Sequence, residues 1–126
     1  MKSKILLVDD NDDTLKLFSR ALEDAGFEVL ASSQSIGTTN RAKDFDPDLI
    51  LLDVMMPALP GNKMVKLLQE KLPRQVTIIL LSNKEEDELK KLCQECGADD
   101  YLSKMSGPAA LVRKVREHLP MRASAR

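Results

Sequence analysis

The 126-residue chain is poor in several things, and each shortage narrows its role. It has two cysteines, Cys93 and Cys96, three positions apart. That is too few for the disulfide framework of a small secreted domain. A redox reading of Cys93-Gln-Glu-Cys96 needs the pair at a helix N-terminus, where thiol pKa falls. Here the pair sits near a helix C-terminus, on its apolar stripe, and reads as two small buried residues. The single histidine, His118, stands among charges on the last helix and reads as a solvated side chain without ligand partners. Net charge is only −1, from 19 basic and 20 acidic residues. Such a balance predicts no direct nucleic-acid contact and no anionic-membrane surface. No apolar run approaches the roughly 20 residues that span a bilayer. Met1-Lys-Ser-Lys4 leads straight into a strand-like run and fits no signal peptide, so the cytoplasm is the expected compartment. Neither internal repeats nor low-complexity stretches interrupt the chain, whose length suits one domain.

What the chain does have is a set of short, unbroken apolar runs that end in polar groups. Leu49-Ile-Leu-Leu52 runs directly into Asp53. So short and continuous a run reads as a strand buried on both faces, as in a parallel sheet. A charge is not tolerated inside such a strand, so Asp53 belongs at its carboxyl end. In open α/β sheets that edge is where ligands bind. Ile5-Leu-Leu-Val8 behaves likewise and ends in Asp9-Asp10; Thr77-Ile-Ile-Leu-Leu81 ends in Ser82. Phe27–Ala31 alternates enough for a more exposed edge strand, and Ala98–Ser103 gives a last short strand around Tyr101 and Leu102.

Helical stripes separate these runs. Leu15, Phe18, Leu22 and Ala25 line one face of a first helix. Asp12 and Asp13 suit its first turn, and Gly26 its C-terminal cap. The segment 32–45 is less periodic; Ile36, Ala42 and Phe45 predict one face of a short second helix. Met64, Val65, Leu68 and Leu72 give a third helix, stopped by Pro73, after a loop from Pro57 to Gly61. A fourth, from Lys84 to Glu95, carries Leu89, Leu92, Cys93 and Cys96 and ends at Gly97. Pro108 opens a fifth helix, with Leu111, Val112, Val115 and Leu119 on its stripe. Strand and helix alternate five times, which predicts an α/β fold of (βα)5 type with a doubly wound parallel sheet. The domain is expected over residues 3–119, with 120–126 a tail or the start of a linker and no second domain.

With all strands parallel, Asp9, Asp10, Asp53, Ser82 and Lys104 project from one edge. Crowded carboxylates repel, and one or more pKa values should rise unless a cation is present. Mg2+ suits such oxygen ligands. These loops hold no histidine or cysteine, which argues against zinc. Acids around a metal, a hydroxyl and a lysine suit phosphoryl transfer, with a carboxylate able to act as nucleophile. Simpler readings exist for each group. Asp9-Asp10 could cap the first helix, Ser82-x-x-Glu85 could form a capping box, and Lys104 alone could be a solvated lysine.

Together these residues resemble the receiver domain of two-component response regulators. The resemblance rests on Asp9-Asp10, on Leu-Leu-Asp53 followed by Met56-Pro57 and Gly61, on Ser82, and on Gly97-Ala-Asp-Asp-Tyr101-Leu-Ser-Lys104. It covers residues 3–119 and implies a flavodoxin-like sheet of order 2-1-3-4-5. It also implies that Asp53 accepts a phosphoryl group from a histidine kinase or phosphotransfer protein. Asp10 and Asp53 would bind Mg2+ directly with the backbone carbonyl of Met55, and Asp9 through water. Lys104 would neutralise the phosphoryl oxygens, Ser82 would shift toward them, and Tyr101 would rotate inward. The fourth helix, fifth strand and fifth helix, with Lys84, Glu88, Lys91, Tyr101 and Arg113, would then bind an effector protein or a second copy of the chain. The chain would be a signalling switch, self-catalysing its phosphorylation and dephosphorylation, rather than an enzyme with turnover.

The sequence departs from the family at Met105, where a proline usually follows the lysine, often through a cis bond that aims it. A cis bond before a non-proline residue costs about 2.5–4 kcal/mol, so Lys104 is expected to be aimed differently or held less firmly. Asn83 stands where the family has a small residue. Two rival readings follow. One is a phosphorylation-independent interaction module that keeps only the fold. The other is a haloacid-dehalogenase-type phosphatase, against which Met55 argues by occupying the place of that family's second acid.

Overall fold

The strands form where sequence places unbroken aliphatic runs, and their burial explains the lack of alternation. A computed structural model describes residues 2–55 and 61–119, excluding the side chains of 61 and 62. The five strands are β1 (Lys4–Val8), β2 (Glu28–Ser32), β3 (Leu49–Asp53), β4 (Thr77–Ser82) and β5 (Asp100–Ser103). They pair in parallel in the order β2-β1-β3-β4-β5. This is the doubly wound arrangement of the flavodoxin-like folds. The helices are α1 (Asp12–Asp24), α2 (Thr38–Phe45), α3 (Gly61–Lys71), α4 (Glu86–Cys96) and α5 (Pro108–His118). Between β5 and α5 lies a single 3-10 turn, Lys104–Ser106. The loop predicted before Gly61, with Met56 and Pro57, and the tail 120–126 lie outside the described residues.

Central β3 is buried along its whole length, whereas edge strand β2 is half-exposed, as its alternation predicts. Side chains alternate between the sheet's faces and divide the core in two. Leu6, Val8, Ile50, Leu52, Ile78 and Leu80 pack with residues of α2, α3 and α4. Ile5, Leu7, Leu49, Leu51, Ile79 and Leu81 pack with Leu15, Phe18 and Leu22 of α1 and Leu111 and Val115 of α5. Cys93 and Cys96 are buried in the first cluster, and burial, followed by the nearby Cys96, Asp100 and Asp99, pushes the Cys93 thiol up to about 11. That suppresses thiolate chemistry and agrees with the packing role.

Several local expectations change. Ile36 does not line α2: it precedes the helix and is 74% exposed. Thr38 takes the inward place instead, because its hydroxyl can donate to the Ser35 carbonyl at 2.7 Å as it is buried. The α4 helix starts at Glu86, with Glu85 as its N-cap and no side-chain cap bond, so the Ser82–Glu85 box does not form. The Ser82 hydroxyl is already committed to the Lys84 N–H at 3.0 Å. His118 is not simply solvated. Its Nε2 lies 2.8 Å from Asp100 Oδ2, and Lys114 Nζ is 3.3 Å from the same oxygen. Burial alone would raise the pKa of Asp100, but His118, the Tyr101 N–H and Lys114 together hold it below the ordinary carboxylate value.

Leu22→Ala should destabilise the fold by about 2–5 kcal/mol in urea unfolding, since it empties a fully buried site. Ile36→Ala should stay within about 0.5 kcal/mol of the parent, as expected for an exposed side chain.

Candidate functional site

Each of the five strands ends on, or in β1 is followed directly by, a short polar side chain that accepts a hydrogen bond from the backbone N–H two residues on. Asp9 accepts from Asn11 at 2.9 Å after β1, and Ser32 from Gln34 at 3.3 Å after β2. Asp53 accepts from Met55 at 2.9 Å, Ser82 from Lys84 at 3.0 Å, and Ser103 from Met105 at 3.2 Å. Asp and Ser favour such turns because their side-chain oxygen replaces a backbone acceptor. The chain leaves each strand without a longer loop, and all five polar groups gather at the carboxyl edge of the sheet. The Asp9–Asn11 turn also decides how α1 begins. Asn11, not Asp9 or Asp10, is its N-cap, accepting from the Thr14 N–H at 2.9 Å.

In both aspartates Oδ1 makes the turn and Oδ2 faces Lys104. The ammonium lies 2.5 Å from Asp9 Oδ2 and 3.2 Å from Asp53 Oδ2. Asp9 is fully buried, Asp53 nearly so, and Lys104 is 10% exposed. The Lys104–Met105 peptide is trans, as are all those among the described residues. The lysine nevertheless reaches both acids, through a trans peptide and without the proline that usually follows it in the family. Asp10 is exposed on the rim. Carboxylate oxygens of Asp9, Asp10 and Asp53 lie within 4.8 Å of one another.

One ammonium cannot neutralise three acids. Burial raises the pKa of Asp53; the Met55 N–H lowers it, Asp9 raises it further, and Lys104 lowers it by charge and hydrogen bond, with a net rise. Asp9 Oδ2 is buried and makes no well-directed hydrogen bond, its contact with Lys104 being ionic. An oxygen-only donor set with unmet negative charge suits a hard divalent cation. Ser82 and Tyr101 belong to the other side of the sheet edge. Ser82 shares its face with Leu80, Tyr101 is paired with Leu80, and the tyrosine is half-buried against the core that includes Leu89 and Cys93. Asp53 alternates instead with the α1–α5 face. Sequence reasoning missed Asn11 and Ser103. Their signal was a short polar residue at a strand exit, visible for Ser103 beside Lys104.

Fold and pocket together define a doubly wound α/β protein that holds an acid cluster and a buried lysine at its ligand-binding edge. The pattern of the response regulator receiver domain matches residues 5–116, and the chain belongs to that family. It is 38% identical over 117 residues to the alkaline phosphatase synthesis transcriptional regulatory protein PhoP of Bacillus subtilis, covering 92% of this chain and 48% of that one. The chain thus spans about half the length of the relatives it matches. Among solved structures it is similar to Vibrio cholerae chemotaxis protein CheY4, with TM-score 0.83 and 28% identity, covering 93% of this chain and 98% of that one. It also resembles the BeF3-activated N-terminal receiver domain of Klebsiella pneumoniae RstA, with TM-score 0.85 and 29% identity, covering 94% and 100%. Receiver domains bind Mg2+ at an acidic pocket, and this chain carries such a cluster. Among the described residues no helix is long and apolar enough to cross a membrane.

In metal-free protein, Lys104→Met should cost about 3–5 kcal/mol by leaving buried carboxylates unpaired. Asp53→Asn should act oppositely. Because its folded pKa is raised, Asp53 contributes stability that is present below its unfolded pKa and lost as pH climbs through the folded value. At neutral pH the amide should therefore stabilise the metal-free fold and flatten this part of the pH profile in thermal melts.

Proposed function

We propose that the chain is a phosphorylation-controlled switch over residues 3–119, with Asp53 as phosphoacceptor. The observation that carries this reading is the buried Lys104 ammonium beside Asp53, with Asp9 and Asp10 completing the pocket. In the transfer step an Asp53 carboxylate oxygen attacks phosphorus as the phosphorus–nitrogen bond of a phosphohistidine breaks. The phosphoryl group passes to Asp53 as an acyl phosphate, and the imidazole leaves with the bonding electron pair and is reprotonated. Asp53 Oδ1 is held by the Met55 N–H, which leaves Oδ2 as the attacking atom. Lys104 already lies on Oδ2 and can follow charge onto the phosphoryl oxygens, where fixed positive charge counts most. Asp10, Asp53 and the Met55 carbonyl would hold Mg2+, with Asp9 acting through water; the ion would supply charge neutralisation for the incoming phosphoryl group.

Readout would run through the other side of the edge. Ser82 would leave its turn with Lys84 for a phosphoryl oxygen, and Tyr101, two residues before Ser103, would follow inward. A two-state equilibrium biased by one covalent charge needs no larger rearrangement. The α4-β5-α5 face, including Lys84, Glu88, Lys91, Tyr101 and Arg113, would present the change to an effector or to a second copy of the chain. Such a switch performs its own phosphoryl acceptance and loss without turning over an external substrate. Its donor would be a histidine kinase or phosphotransfer protein, a setting that agrees with the cytoplasm and requires no nucleic-acid contact from this domain.

Incubation with Mg2+ and acetyl phosphate, followed by intact-mass measurement, should add one phosphoryl group to the parent and none to Asp53→Ala. Chelation should abolish the addition. Equal labelling of both proteins would sink the assignment of Asp53, and no labelling of either would favour a phosphorylation-independent module.

A further inference from the structure

We infer that Ser103 is the positioning residue that aims Lys104, a role that rests on the phosphoacceptor reading of Asp53. Met105 follows Lys104 through a trans peptide, so the lysine is not directed by a proline ring. The chain instead makes one 3-10 turn that starts at Lys104 itself. Both ends of this turn are fastened. At its start Ser103 is extended, and its Oγ accepts the Met105 N–H at 3.2 Å. At its end the Gly107 N–H donates to the Lys104 carbonyl at 3.3 Å, with Gly107 at φ 89°, a conformation that favours glycine.

The register adds a second constraint. Ser103 is the last β5 residue with a partner, aligned with Ser82 of β4. Among the described residues no strand pairing follows it, and the Ser103 hydroxyl takes the Met105 N–H two residues on. The side chains on either side of the Lys104–Met105 peptide then meet opposite fates: Lys104 is drawn onto Asp9 and Asp53, while Met105 is 84% exposed. Packing of Met105 therefore does not aim the lysine, and the turn at Ser103 does. The same serine turn closes β2 at Ser32, where the next residue carries no site charge. What distinguishes Ser103 is that its turn begins with the ammonium of the pocket.

The test is a double-mutant cycle on Ser103→Ala and Lys104→Met, read with beryllium fluoride plus Mg2+ as a phosphoryl mimic by fluorine NMR and with acetyl phosphate for rate. Ser103→Ala should weaken mimic affinity and slow phosphorylation by roughly tenfold, the scale of one lost hydrogen bond. In the Lys104→Met background it should do nothing more, because there is no ammonium left to aim. Ser103→Thr, which keeps the hydroxyl, should restore the parent values. A Ser103→Ala protein within about twofold of the parent, or a loss that persists in the Lys104→Met background, overturns the inference and leaves Ser103 a plain strand exit.

A parent that takes neither mimic nor phosphoryl group refutes the phosphoacceptor reading separately. The positioning itself is then read from melting of the metal-free proteins. Ser103→Ala should lower the midpoint by about 4 °C more when Lys104 is present than when Lys104 is absent, the loss of the Met105 N–H bond being common to both backgrounds. Equal losses in both backgrounds overturn it. Where Lys104→Met does not fold alone, adding Asp53→Asn to all four proteins removes one of its two unpaired buried carboxylates while Asp9 remains for Lys104 to meet.

Discussion

Two carboxylates at the end of an apolar sheet share a single buried ammonium, and the rest of the pocket depends on that imbalance. An unpaired buried charge is costly, and a well-paired one tends to be inert. This pocket lies between the two limits. Lys104 is close enough to keep Asp9 and Asp53 tolerable within the fold, yet the net effect on Asp53 is a raised pKa. The resting protein therefore retains a local demand for positive charge. A divalent cation would meet that demand from the solvent side, where Asp10 is exposed.

The strands carry the pocket with little added machinery. Each is short, and each ends on or just before an Asp or Ser bonded to the backbone N–H two residues on. One local rule, repeated at the carboxyl edge, gives the sheet a row of oriented oxygens. In the two aspartates the turn uses one oxygen and leaves the other facing Lys104. At Ser82 it engages the hydroxyl on the α3–α4 side of the edge, next to the face that holds Tyr101. In the proposed switch, acceptance and readout would thereby be separated across the thickness of one sheet.

Much of this was legible because the strongest sequence signals and the strongest physical costs coincide. A charge that ends a run such as Leu49–Leu52 has to leave the sheet there, so the apolar run alone places Asp53 at the carboxyl edge. Ile36 misled because hydrophobicity was read as inwardness; Thr38 won the buried site through a hydroxyl bond that periodicity cannot register. The Ser82–Glu85 capping box failed because two local motifs competed for one hydroxyl, and the strand-exit turn took it. His118 looked solitary because its partner, Asp100, is 18 positions away and approaches only when α5 packs back against the sheet.

By itself the sequence determined the order of strands and helices, the carboxyl-edge placement of Asp9, Asp10, Asp53, Ser82 and Lys104, and the family resemblance those residues carry. These follow from burial, which is local to each apolar run and readable from spacing. Only the tertiary structure decided that Lys104 meets Asp9 and Asp53 without a proline behind it. That outcome depends on a 3-10 turn, on the β4–β5 register and on the hydroxyl of Ser103 acting together. Contacts between distant strand ends become defined only when the sheet aligns them, and no pattern along the chain records an angstrom-scale approach across it.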